Sequence, residues 1–399
     1  MPTKTEKLTL PAALLVTIIA GITISHILFQ AAAVFLLFYW FVEFRAGNSI
    51  HMPLMEKFVF LYFVSGVIAV FLTENPLSNL PHLMPHIVLL SAIPLNWRFN
   101  REGFPEGAII AVILFFTSIA ALAGVVFHFG GVERTHGFNG GYFTLASVMA
   151  FSIPMVLAES FRQERPLGRN GLFLLSVVHL FVMWWTFTRS AFLGFLGAMG
   201  IWLVADAWRE LRRSGVFTLS GAVTARLVLM MVLLTLIFTA KDSRINPFYH
   251  PPKSVAGKQL DLTSGRASIY QDAREFIQQD WQQGHWVNIL LGHGLNSRNR
   301  MVQSKFTSWE SDYLQAYMNQ GIMGLLLVIT IYVLFLKRVF AALMSDNVRR
   351  QGVAAAGLAF WLMSFFTLKL TGFTDAAIFA VLVVLLQQIG RTEERAGNP

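Results

Sequence analysis

The feature that most constrains this chain is a succession of uninterrupted apolar runs separated by short polar breaks. Each run is close to the roughly 20 residues that cross a hydrocarbon core. The runs carry no helical or alternating period, so the elements they form are apolar on every face. Hydrocarbon offers no partner for a backbone N–H or C=O, so such runs must be helices. Composition supports the same conclusion. The 399 residues are 55% hydrophobic and 13% charged, where a soluble domain carries about 25% charged residues. The chain therefore reads as an all-α polytopic membrane protein.

Twelve spans are expected, near residues 8–24, 27–44, 57–73, 80–97, 105–128, 139–160, 170–187, 190–207, 224–240, 311–336, 352–370 and 373–390. The first run follows Lys4 and Lys7 and resembles a signal sequence, but a second run comes directly after it, so it reads as a retained helix. Charge tests the count. With the N-terminus cytoplasmic, alternate breaks receive Arg45 and Lys57, then Arg98 and Arg101, then Arg162, Arg165 and Arg169. Further along come Arg209, Arg212, Arg213 and Arg226, then Lys337, Arg338, Arg349 and Arg350, and last Arg391 and Arg395. Opposite breaks hold almost none: Thr73–Asn79 has no Lys or Arg, and His128–Phe138 has only Arg134. This is the positive-inside asymmetry, and it places both termini in the cytoplasm.

The organisation expected is spans one to nine in residues 1–240, one long periplasmic segment with short helices in 241–310, and spans ten to twelve with a cytoplasmic tail in 311–399. Within the long segment a helix is expected from about Ser264, where Ile269, Ala273, Phe276 and Ile277 recur at helical spacing. The net charge of +9 lies mostly in the short breaks, so it orients the chain and does not imply a nucleic-acid partner. With no cysteine there is no disulfide or thiolate site. No metal-binding motif, Walker sequence or dinucleotide fingerprint occurs, so neither a metal nor a cofactor is expected.

Four stretches could carry chemistry. Arg189, in Thr186-Phe187-Thr188-Arg189-Ser190, lies at the mouth of two spans. An arginine there either snorkels to headgroups or binds a ligand. Ser264-Gly265-Arg266 opens the expected helix, where a helix N-terminus with Arg266 would suit a phosphate. His293 lies between two glycines in Gly292-His293-Gly294. The run Trp309-Glu310-Ser311-Asp312-Tyr313-Leu314-Gln315 leads into Gly321-Ile322-Met323-Gly324 and puts two carboxylates at the start of a span. They either complement the helix dipole or supply a general base.

In this order and spacing the four stretches resemble the O-antigen ligase and polymerase superfamily of bacterial envelope enzymes. The superfamily ends one span with a Thr-x-Ser-Arg-type motif, matched by Thr186–Arg189 with Thr188 in the Ser place. A Gly-Arg pair, a Gly-x-Gly turn and a His-Asn/Ser-x-Tyr-Leu-Gln run with a following Gly-x-x-Gly are matched by residues 265–266, 292–294 and 311–324. One position departs from the pattern: Glu310 stands where the family usually has the histidine taken as base. The resemblance implies a glycosyltransferase at the periplasmic face of the bacterial inner membrane. Arg189 and Arg266 would bind the diphosphate, Glu310 would serve as base with His293 as the other candidate, and His293 and Tyr313 would contact substrate. The implied donor is an undecaprenyl diphosphate-linked polysaccharide and the implied acceptor is lipid A-core oligosaccharide. One large loop favours a ligase over a polymerase, which tends to have two. A protein O-oligosaccharyltransferase would use similar donors. From another class, a lipid-linked oligosaccharide flippase would need polar groups at mid-membrane depth, and the spans offer few beyond His179.

Overall fold

A computed structural model of the chain describes residues 9–47, 52–215, 220–241, 245–246, 266–302 and 307–397. Among the described residues the secondary structure is helical, without strands. The chain opens with α1 (Leu10–Thr23), α2 (His26–Arg45) and α3 (Leu54–Phe71). A broken stretch follows: α4 (Pro76–Asn79), a 3-10 turn over Leu80–Leu83, α5 (Met84–Leu90) and α6 (Ala92–Glu102). Five long helices come next, α7 (Glu106–Phe129), α8 (Tyr142–Arg162), α9 (Pro166–Trp185), α10 (Arg189–Ser214) and α11 (Gly221–Thr239). The segment after them contributes α12 (Arg266–Gln283), α13 (Trp286–Leu291) and α14 (Ser297–Met301). The chain then runs through α15 (Asp312–Leu343), α16 (Val348–Met363) and α17 (Phe373–Gly397).

Nine helices among the described residues are long and apolar enough to cross a membrane: α2, α3, α7 to α11, α15 and α17. The other three expected spans take different forms. The first is the 14-residue α1. The fourth divides at Ser91 into α5 and α6, because Pro94 lacks the N–H that would bond to Leu90 and its ring crowds that carbonyl. The eleventh gives α16, which stops at Met363 and leaves residues 364–372 non-helical. Thr188-Arg189, expected as a turn, divides differently: Arg189 is the first residue of α10 and Thr188 its cap position.

Two helices form the centre of the bundle. α8 is 89% buried over its apolar window and α17 83%, against 22% for α2 and α11 at the periphery. α16 packs between α8 and α10 through small residues. A Cβ at Gly352 would come within 2.4 Å of the Ala158 side chain, and one at Gly194 within 2.7 Å of the Ala359 carbonyl oxygen. Such close backbone approach is how helices associate where lipid removes the hydrophobic drive between them.

Residues 364–372 are irregular backbone inside the bundle, and that is tolerated only where protein or an enclosed cavity satisfies the polar groups. Asp312, fully buried at the start of α15, does this. Its carboxylate accepts from the backbone N–H of Lys369 at 2.8 Å and of Leu370 at 3.0 Å, and from the Tyr332 hydroxyl at 2.6 Å. The Asp312 N–H donates to the Ser364 carbonyl at 3.2 Å.

A second irregularity joins the short helices to α15, which kinks at Gly321 (φ 65°, ψ −161°). The Met318 and Asn319 carbonyls instead accept from the N–H groups of His293 and Gly294, at 2.9 and 3.0 Å. Gly292 and Gly321 make this contact possible. A Cβ on Gly292 would lie 2.4 Å from the Gln320 nitrogen, and one on Gly321 2.3 Å from the Leu290 carbonyl carbon. The helix expected near Ser264 is α12, whose Ile269 and Ala273 pack with Trp309 and Met318. Ser264 and Gly265 lie outside the described residues.

Replacing Asp312 by leucine would leave two buried N–H groups without an acceptor, at about 1–3 kcal/mol each. The thermal midpoint of the detergent-purified protein is expected to fall clearly in Asp312→Leu and less in Asp312→Asn, which keeps an acceptor oxygen.

Candidate active site

Glu310 is held from both sides. Trp309 before it is fully buried, with its backbone N–H donating to Gln315 Oε1 at 2.8 Å and its indole N–H to Ser297 Oγ at 2.9 Å. The Arg298 guanidinium lies 4.7 Å over the Trp309 ring and pairs with Asp272 at 2.8 Å. Two residues after Glu310, Asp312 is anchored as described. Between these fixed points Glu310 adopts φ 56°, so it lies outside the first turn of α15 and not within it. Positive φ in a non-glycine residue is costly and persists only where the surroundings impose it.

The Glu310 side chain enters a cavity of about 160 Å³. Thr188 and Ser190, on either side of Arg189, line the same cavity, together with Phe143, Lys369 and Asp375. Arg266, first residue of α12, pairs with Glu310 at 3.7 Å. Among the described residues the buried Nε of Arg266 has no hydrogen-bond partner. Ser308 donates to Glu310 Oε1 at 3.1 Å. Glu310 and Arg266 therefore meet, and the turn carrying Arg189 forms part of the same wall.

That turn has its own support. Phe187 adopts φ 51°. Arg134 donates to the Thr186 and Phe187 carbonyls, at 3.1 and 3.2 Å, and lies 3.4 Å over the Tyr142 ring. The one basic residue of the His128–Phe138 break is thus occupied in capping the end of α9.

The other expected site residues lie elsewhere. His293 Nε2 pairs with Asp280 at 2.8 Å, and His293 lines neither the Glu310 cavity nor its neighbour. Burial pushes its imidazole below the ordinary range, while the Asp280 carboxylate pulls the other way. Tyr313 packs on Phe365, ring centroids 5.0 Å apart, and also lines neither cavity. His179 is buried between α8 and α9 with Nδ1 2.9 Å from Ser152 Oγ, in neither of these cavities.

Lys369 and Asp375 were not among the expected site residues. Lys369 is 2% exposed, and its Nζ donates to Asp375 Oδ1 at 2.8 Å and to Ser147 Oγ at 2.7 Å. Two charged residues six apart, one in the irregular segment and one in the first turn of α17, would not be read as a pair without knowing that α16 stops at Met363.

Among the described residues no group of three His, Asp or Glu side chains converges in the way a metal would need. The chain is a multi-pass membrane protein with a charged, partly open cavity where the segment after α11 meets the helix ends. A family model described as O-antigen ligase matches residues 172–329. The match places that stretch, from α9 into α15, in the O-antigen ligase superfamily, as the ordered motifs implied. The family is one of ligase- and polymerase-type membrane glycosyltransferases. It takes in Arg189, Arg266, His293 and Glu310, but not Lys369 or Asp375. Among curated proteins no significant match is found.

Removing one partner of a buried ion pair strands the other and costs about 3–5 kcal/mol, whereas replacing both by apolar residues can be nearly neutral. Asp375→Asn is therefore expected to lower the thermal midpoint more than the double variant Lys369→Met/Asp375→Leu, as measured by thermal unfolding in detergent.

Proposed function

We propose that this protein is an O-antigen ligase, transferring a polysaccharide from undecaprenyl diphosphate to lipid A-core oligosaccharide at the periplasmic face of the inner membrane. The observation that carries the reading is Glu310, set at positive φ on the wall of a partly open cavity, within ion-pair distance of Arg266 and next to the turn that holds Arg189. The single large segment between α11 and α15 supports ligase over polymerase.

In this reading the acceptor hydroxyl attacks the anomeric carbon of the first sugar. A new C–O bond forms, the bond to the diphosphate breaks, and the diphosphate leaves with the electron pair. Glu310 takes the proton from the attacking hydroxyl. Arg189 and Arg266 neutralise the charge that develops on the diphosphate, as permanently charged planar donors. Lys369 adds a third positive group on the cavity wall, balanced by Asp375. A diphosphate competing for Arg266 would loosen the Glu310 pair, so donor binding would free the base. A single displacement of this kind inverts the anomeric centre.

Losing one well-placed transition-state donor typically costs about 2.7–4 kcal/mol, on the order of a hundredfold to a thousandfold in rate. Arg189→Ala and Arg266→Ala are expected to lose transfer to that degree at unchanged protein levels. The assay incubates purified protein with lipid-linked polysaccharide, lipid A-core and chelator. Wild-type-like transfer by both variants would overturn the reading, and product on lipid A separates a ligase from a polymerase or a protein transferase.

A general base contributes about 10²–10⁴-fold. Glu310→Gln keeps the shape and the hydrogen bonds but cannot accept a proton, so its rate is expected to fall by at least a hundredfold. Glu310→His should retain transfer, with the rate rising through the imidazole range near pH 6.5. Rates across pH for the three proteins check this.

A further inference from the structure

Beside the cavity that holds Glu310 lies a second, of about 220 Å³. A buried space needs only about 10–15 Å³ of such volume to admit one water, so this one can seat a larger polar ligand. The two cavities share Ser308, Leu368 and Gly372 as a common wall. Their chemistry differs. The first carries Glu310, Lys369 and Asp375. The second is lined by Asn296, Gln315, Asn319, Thr307, Thr371 and His86, and among the described residues no Asp, Glu, Lys or Arg lines it.

Several of these groups are fixed by bonds made on their other side. Asn319 Oδ1 accepts from the N–H and the hydroxyl of Ser297, at 3.2 and 2.7 Å. Gln315 Oε1 accepts from Trp309. His86, 2% exposed, stacks on Tyr62 at 4.6 Å and lies with Nε2 2.7 Å from the Gln320 amide nitrogen. Ser65 Oγ lies 3.0 Å from the Gln320 amide oxygen. The other ring nitrogen of His86, Nδ1, has no hydrogen-bond partner among the described residues. Asn296 is held at φ 59°. The described walls of the cavity are thus pre-set neutral donors and acceptors, which match hydroxyl groups.

We propose that this second cavity seats an uncharged sugar ring next to the reacting bond, while the charged cavity takes the diphosphate and the proton. The proposal rests on the glycosyltransferase reading above. The ring could belong to the donor glycan or to the acceptor oligosaccharide, which present the same hydroxyl chemistry.

The test uses the full chain in detergent with lipid-linked polysaccharide and lipid A-core, and measures KM for each substrate. His82→Phe narrows the cavity from its rim, and Thr307→Val removes one hydroxyl at an exposed position where folding is not at stake. His82→Phe is expected to raise KM for one glycan about tenfold and Thr307→Val severalfold, with KM for the other substrate within twofold. The substrate whose KM rises identifies the ring's source. Unchanged KM values for both substrates in Thr307→Val and in a folded His82→Phe would overturn the proposal alone, as would KM values that rise together. No transfer by the wild-type protein would overturn the enzymatic reading and this proposal with it.

Discussion

Asp312 sits where no water reaches, and the site is arranged around its carboxylate. One oxygen takes two backbone N–H groups from the stretch between α16 and α17, and the other takes the Tyr332 hydroxyl. Without such an acceptor the N–H groups of Lys369 and Leu370, both in buried residues, would be left unpaired, each at a substantial cost. The same residue fixes the start of α15. Glu310, two positions earlier, and Lys369, whose N–H is one of the donors, are therefore set relative to each other by one anion. The charged cavity follows from that arrangement.

Backbone strain has the same distribution. Among the described residues three non-glycine residues have positive φ: Phe187, Asn296 and Glu310. Phe187 is in the turn before Thr188, Asn296 lines the neutral cavity and Glu310 lines the charged one. Each is held by packing or hydrogen bonds that belong to other elements: Arg134 on the turn, the Trp309–Ser297–Asn319 chain on the loop. Strain of this kind collects where a side chain must be aimed and not merely buried.

Most of the helical frame was legible because hydrocarbon leaves an apolar run no alternative to a helix. The segments that misled are those where the chain departs from the helix for a local reason. Pro94 divides a run of ordinary hydropathy, and α16 ends at Met363 although Phe365, Phe366 and Leu368 continue the apolar pattern, because the partner that stabilises the break, Asp312, lies some fifty residues earlier. Residue-level site reading had the same limit. Arg189, Arg266 and Glu310 were singled out through ordered motifs, and the structure brings Arg266 to Glu310 and the residues flanking Arg189 to the same cavity. Of the glycines around His293, Gly292 lets two backbones meet at the α15 kink and Gly294 lets the turn approach Ala69 and Thr73. Lys369 and Asp375 belong to no motif and became visible only as a pair across the cavity.

The irregular stretch between α16 and α17 also bears on how the protein is made. It supplies Lys369 and, through Asp375 at the start of α17, its counter-charge, so the cavity draws on a hairpin that lies C-terminal to the motifs. During synthesis the chain carries both arginines and Glu310 before Lys369 and Asp375 have been added. The motif-bearing part is therefore made before its cavity is complete, and the later α16–α17 hairpin supplies the missing wall.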